Sequence, residues 1–219
     1  TSTRAVDAGG PGWRLGPRAT PSRGASAASM STASAARSSA LPRLRVSTCS
    51  TSAAAARVKP KLDEIKAKAE ATQQEARLAS LWAYGDEPVG KNGHQLSAAI
   101  YSQEPVDTDG SGAKPVRLIF RDHPEWGRSS YLVLEAGDFD CYGGCRLKVI
   151  ADGKTHTLPG SRPKTDDAIA MFVDDHKRLW KLAKESKQLS IEFPTKAVGK
   201  KTAEFEVGGL DAAKLPKWN

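Results

Sequence analysis

Apolar and polar residues alternate most cleanly near the end of the chain. Leu189, Ile191 and Phe193 take every second position, and Ala203, Phe205 and Val207 do the same. A period of two puts one set of side chains on one face, so both runs are predicted to be half-buried strands. Residues 97–103, 116–122, 130–141, 145–152, 155–158 and 168–173 are further short apolar runs bounded by turn residues. The period lengthens over 174–186. There Leu179, Leu182 and Ala183 share a helical face, and Asp174 or Asp175 can cap the first turn. Residues 58–80 are dominated by good helix formers, with Glu64 one turn before Lys68. Leu62, Ile65, Ala69 and Ala76 give that segment only a thin apolar stripe, so it is expected to be a solvated helical linker. Many short strands and one late helix predict a mainly β fold: an antiparallel, sandwich-like domain over residues 81–219.

Charge divides the chain in the same place. The 219 residues carry a formal net charge of +8, which invites a nucleic-acid reading. Nine of the 33 Lys and Arg and one of the 25 Asp and Glu fall in residues 1–60, leaving 24 of each sign beyond them. The neutral remainder offers no footprint for a phosphate backbone, so no nucleic-acid contact is expected from the folded domain. Residues 1–57 are rich in Ser, Ala, Gly, Pro and Arg, with Trp13 as their aromatic residue. Such a segment buries too little apolar surface to offset chain entropy, and a disordered tail or leader is expected. Its Arg-rich, acid-poor composition matches an organellar transit peptide, while the apolar run of a bacterial export signal is missing. No stretch of about 20 apolar residues predicts a transmembrane helix.

The most informative stretch is Phe139 to Val149, FDCYGGCRLKV. A hairpin that pairs Cys141 with Cys145 also pairs Asp140 with Arg146, Asp138 with Lys148, and Phe139 with Leu147. Opposite charges then meet on one face and apolar residues on the other. Tyr142, Gly143 and Gly144 form its three-residue loop. Directly opposed cysteines lie within disulfide range, so a local staple is expected. Structural zinc needs a second ligand pair, which Cys49 and the four histidines do not supply. Redox motifs have two intervening residues rather than three. A disulfide implies an oxidising compartment.

Other motifs are weighed in the same way. Asp107, Asp109, Ser111 and Gly112 copy the opening of a calcium loop, but Leu118 stands where its closing glutamate belongs and Pro115 disrupts the ninth place. A polar loop is expected and no metal site. Residues 121–130 place Arg121, His123, Trp126 and Arg128 at a turn set by Pro124 and Gly127. These four residues are the candidate ligand loop. The pairs Asp166–Asp167 and Asp174–Asp175 read as turn and cap. No nucleophile elbow, phosphate loop, dinucleotide fingerprint or zinc-protease motif occurs, so no catalytic residue and no cofactor are assigned.

Residues 82–219 resemble a group of uncharacterised bacterial cell-envelope proteins. The motifs that carry the likeness are WAYGDEPVG (82–90), FRDHPEWGRSSYLVLEAGDFDC (120–141), CRLKVIADG (145–153), SRPKTDDAIAMFVDD (161–175), LSIEFP (189–194) and AEFEVGGL (203–210). The resemblance implies a secreted or lipid-anchored protein with a two-cysteine hairpin, one late helix and a closing Phe-rich strand. In layout the chain is more distantly similar to an accessory protein associated with type VI secretion. It departs from the group in lacking an apolar export signal and in its closer cysteines. The resulting expectation is a non-enzymatic periplasmic or secreted protein that binds an envelope partner or serves a structural role. Two alternatives stay open: an enzyme whose site assembles around Asp122 and His123, and an organellar protein with a cleaved leader.

Overall fold

The structure is a computed structural model that describes residues 53–91, 93–165 and 168–218, with side chains from residue 58 onward. They belong to one compact unit, Cys49–Asn219. Residues 1–52, expected to be disordered, lie outside the described part, as do Asp166 and Asp167.

Among the described residues the chain is mainly antiparallel β with two helices. Helix α1, Ala53–Ser80, is followed by β1 (Trp82–Val89), β2 (Gly93–Tyr101), β3 (Arg117–His123), β4 (Gly127–Val133), β5 (Cys145–Ala151), β6 (Lys154–Ser161) and β7 (Ala170–Val173). Helix α2, His176–Glu185, precedes β8 (Leu189–Thr195) and β9 (Gly199–Phe205), and three short 3-10 turns close the chain. All nine strands form one sheet in the order β1-β2-β3-β4-β7-β6-β5-β8-β9. The sheet is narrowest between β6 and β7, where two residue pairs hold it, Gly160↔Val173 and Ser161↔Phe172.

Both sides of that narrow point bury their inner faces in one core. Phe120 and Leu132 come from one side, Val149, Ile191 and Phe205 from the other, all fully buried. The sandwich-like arrangement is thus made by one continuous sheet. Helix α2 completes it by burying Leu179, Trp180 and Ala183. Asp175 caps the helix by accepting from Arg178 N at 3.1 Å. Trp180 and Trp218 both pack edge-on against Phe120, at 5.0 and 5.5 Å between ring centres.

Helix α1 takes in the last five residues of the segment expected to be unstructured, starting at a run of alanines that favours helix. Its far end is docked. Arg77 forks onto Glu206, and a Cβ on Gly209 would collide with the backbone of Leu78. Val58, Leu62 and Ile65, nearer its start, are exposed.

The register expected around the cysteines is corrected. Strand β5 does not pair with residues 138–141. It pairs with β6, Cys145↔Gly160 through Ala151↔Lys154, and on its other side with β8. The hairpin is built on Asp152-Gly153, whose φ values of 44° and 82° suit a two-residue turn of the primed kind. Strand β6 takes one edge of β5 along its whole length and β8 takes the other over Lys148–Ala151, while residues 138–140 run beside the end of β8. Phe139 bridges Thr195, Asp140 N donates to Pro194 O, and Lys196 N donates to Asp138 O. Asp138 therefore faces Arg162 and Lys196 rather than Lys148. The cysteines still meet: Cys141 and Cys145 are joined by a disulfide with Cα atoms 5.1 Å apart. It staples the loop that leads into β5 rather than the rungs of a hairpin.

Candidate functional site

Strands β3 and β4 meet at a turn over residues 124–126, and the site is built from there. His123 is buried, and its Nδ1 accepts from the backbone N–H of Glu125 (3.1 Å) and of Trp126 (3.2 Å). Those two bonds close the turn and occupy the imidazole lone pair. Trp126 is 69% exposed. It is nonetheless fixed, because its ring stacks on His123 with centres 4.0 Å apart and planes 10° apart. The Arg121 guanidinium lies 5.4 Å from the centres of both Trp126 and Tyr131, and Arg121 Nε donates to Ser129 Oγ.

Of the four residues in the candidate loop, three share the outer face. Arg128 is not among them. Even-numbered residues of these strands point inward, and Arg128 Nη1 donates to Lys217 O at 2.7 Å, with its guanidinium near the buried Trp218. Asp122 points the same way, is buried, and meets Lys217 Nζ at 3.3 Å. Asp122 and His123 lie on opposite faces, as adjacent strand residues must. The acid-base pairing that the enzyme alternative needs is not formed by them.

The outer face continues beyond the loop into residues the sequence reading passed over. Ile119 opposes Tyr131, which opposes Phe172; the Tyr131 and Phe172 rings are 5.5 Å apart. Burial pushes the Tyr131 hydroxyl above its ordinary range, and the charges of Arg121 and Arg117 offset this in part. One row further, the Arg117 guanidinium sits 5.0 Å from the ring centre of Tyr101, which is 47% exposed. The signal was present in the chain. Pairing outward from the 124–126 turn puts Arg121, Ile119 and Arg117 opposite Ser129, Tyr131 and Val133.

In the loop that copies a calcium site, Asp107 accepts from the N–H of Gly110 (2.7 Å) and Asp109 accepts from Ser111 N (2.9 Å). Among the described residues no three His, Cys, Asp or Glu side chains converge on a metal position. A cavity of about 230 Å³ beside β4 and the start of α2 is lined by Ser161, Asp174 and His176 among others. There Ser161 Oγ donates directly to Asp174 Oδ1 at 2.6 Å. His94 meets Asp86 at 2.6 Å on the exposed surface, and His156 meets Arg178.

The chain matches no protein-family model, and comparison with curated proteins and with solved structures finds no match.

Proposed function

We propose that this is a non-enzymatic binding domain whose ligand face is the outer surface of β2, β3 and β4 around Trp126. One observation carries the reading: Trp126 is largely exposed yet held flat against a buried histidine. An exposed indole that is already immobilised loses little entropy on binding, and Trp and Arg are the residues that most often anchor an interface. The compartment belongs to the same proposal. The Cys141–Cys145 disulfide suits an oxidising space, and the resemblance to secreted and lipid-anchored proteins suits the bacterial envelope. The same bond weighs against a mitochondrial matrix, which the Arg-rich leader would otherwise favour.

A photo-crosslinking residue at position 129, beside Arg121, tests the face in cells that naturally make the protein. The expected result is a discrete adduct that disappears when Trp126→Ala is added. No adduct, or one indifferent to Trp126, overturns the reading. Alkylation of the same cells without reductant tests the compartment: free thiols at Cys141 and Cys145 would defeat the envelope assignment.

A further inference from the structure

We propose that this face binds an acidic polysaccharide: a chain of sugar rings in which only some rings carry a carboxylate. The inference rests on the binding reading above and adds the class of ligand.

The face is a linear strip. Along β3 it runs from Arg117 with Tyr101, through Ile119 with Tyr131 and Phe172, to Arg121 with Ser129, and ends at His123 with Trp126. Six residue steps at ~3.3 Å each give a length of roughly 20 Å. Flat, exposed rings stand at the two ends, Tyr101 and Trp126. The C–H faces of a pyranose ring are apolar and weakly positive, and they stack on the electron-rich faces of such aromatics. Hydroxyls at the ring edges would find Ser97, Ser129 and Gln95 on the same surface.

The charge pattern narrows the ligand. Arg117 and Arg121 are four residues apart on one strand face, hence roughly 13 Å apart. Among the described residues neither makes an ion pair, and Arg117 Nε is buried with no hydrogen-bond partner. Each guanidinium is instead held in place by a ring, Tyr101 for one and Tyr131 with Trp126 for the other. A fixed planar fork of this kind matches a carboxylate in two-point contact. The charges are sparse, and Glu87, close enough to act on Tyr131, stands near them. A nucleic-acid strand carries a phosphate on every nucleotide and would bring several charges into the span between the two arginines, where Ile119 lies. A polysaccharide that alternates uronate with neutral rings fits the strip better.

The test uses the full-length chain and reads differences between variants, so that any polyanion binding by the Arg-rich residues 1–52 cancels. The probes are a decasaccharide of alternating glucuronate and N-acetylglucosamine, a neutral glucose decamer and a ten-nucleotide oligo-dT. Calorimetric titration is expected to show binding of the alternating decasaccharide that weakens about tenfold or more in Trp126→Ala. Trp126→Phe should restore much of it, and Arg117→Gln and Arg121→Gln should each weaken it severalfold. The glucose decamer should bind far more weakly. Circular dichroism verifies that each variant is folded, and Arg121→Gln serves if Trp126→Ala is not. Equal affinity in wild type and in the Trp126→Ala, Arg121→Gln double variant overturns the proposal. So does equal binding of the neutral decamer, or tighter binding of oligo-dT that the same variants abolish. If these titrations fail while the position-129 adduct depends on Trp126, the binding face stands with another class of ligand. If both fail, both proposals fall.

Discussion

Arg77 and Glu206 clasp each other fork to fork across 129 residues of sequence, Nη1 to Oε2 at 2.9 Å and Nη2 to Oε1 at 2.8 Å. The pair fastens the end of α1 to the turn at Val207–Gly209, where Gly209 lies against the Leu78 backbone. Gly209→Ala should therefore cost about 1–3 kcal/mol, because the added methyl forces the two backbones apart. Arg77→Gln should lower the melting temperature by less, since a half-exposed pair is screened by water. The Arg77 hydrogen bonds hold the Glu206 carboxyl below its ordinary range against an upward push from burial. A depressed value stabilises the fold above the ordinary carboxylate range, and that contribution fades as pH falls through the folded value. The melting deficit of Arg77→Gln should thus shrink in acid; a deficit that does not change with pH refutes the assignment.

Asp138 should be the more costly acid to lose. It accepts from Arg162 Nη1 at 2.8 Å and from Ala168 N at 2.9 Å, and it pairs with Lys196. The Arg162 side chain is 1% exposed. Asp138→Asn removes a charged partner from that buried cation, a loss of about 3 kcal/mol in denaturant titrations at neutral pH. Burial raises the Asp138 carboxyl, but Lys196, the Ala168 N–H and Arg162 together hold it below its ordinary value. Its contribution is complete above the unfolded value of about 3.9 and is lost as pH drops through the lower folded value. The gap between wild type and Asp138→Asn should close in strong acid. A gap of constant size would remove Asp138 from the ion-pair role.

The disulfide closes a loop of about five residues, for which chain entropy gives only about 2 kcal/mol. Reduction should lower stability without unfolding the domain. Serine substitutions separate the two cysteines, since Cys141 is 1% exposed and Cys145 is only partly buried. Cys141→Ser leaves a hydroxyl in the core and should cost more than Cys145→Ser, though both break the same bond. Equal losses in thermal melts would contradict the packing described for Cys141.

Duplex DNA is expected to interact with the tail alone. Full-length chain should bind it weakly and with steep salt dependence, and a chain lacking residues 1–52 should not bind at physiological salt. Salt-resistant binding after that deletion, in a gel-shift titration, would require a basic surface that the remainder, with a net charge of only +2, does not provide.

Strands β8 and β9 and helix α2 were legible because their periods are clean and their caps local: Leu189, Ile191 and Phe193 are all fully buried, and Asp175 caps as expected. Strand β1 was not legible. Gly85, Asp86 and Pro88 are poor strand formers, tolerated because β1 is the sheet edge and pairs on one side only. The cysteine register misled because Tyr-Gly-Gly and Asp-Gly both signal turns, and the second signal fixes β5 first. Gly160, opposite Cys145, shows the fit, since a Cβ there would meet Cys145 Sγ at 3.3 Å and Leu147 at 3.0 Å. The partners of Asp138 lie across turns that no local pattern encodes. Half of the ligand strip was visible, and the other half needed the pairing that brings Arg117 and Tyr131 onto one face.

The narrow β6–β7 seam has a kinetic consequence. Most strand pairs here close short loops: β1 with β2, β3 with β4, β5 with β6, and β8 with β9 are neighbours in sequence. Such pairs form early because little chain must be ordered to make them. Two residue pairs at Gly160 and Ser161 then join the halves, and β7 reaches β4 only after the chain has passed through β5 and β6. Although β6 and β7 are neighbours in sequence, their seam is held by fewer residue pairs than any other in the sheet and should be the first to open. Amide protons on Val173 and its partners should exchange with solvent sooner than those of β5 and β8, which are more deeply laddered.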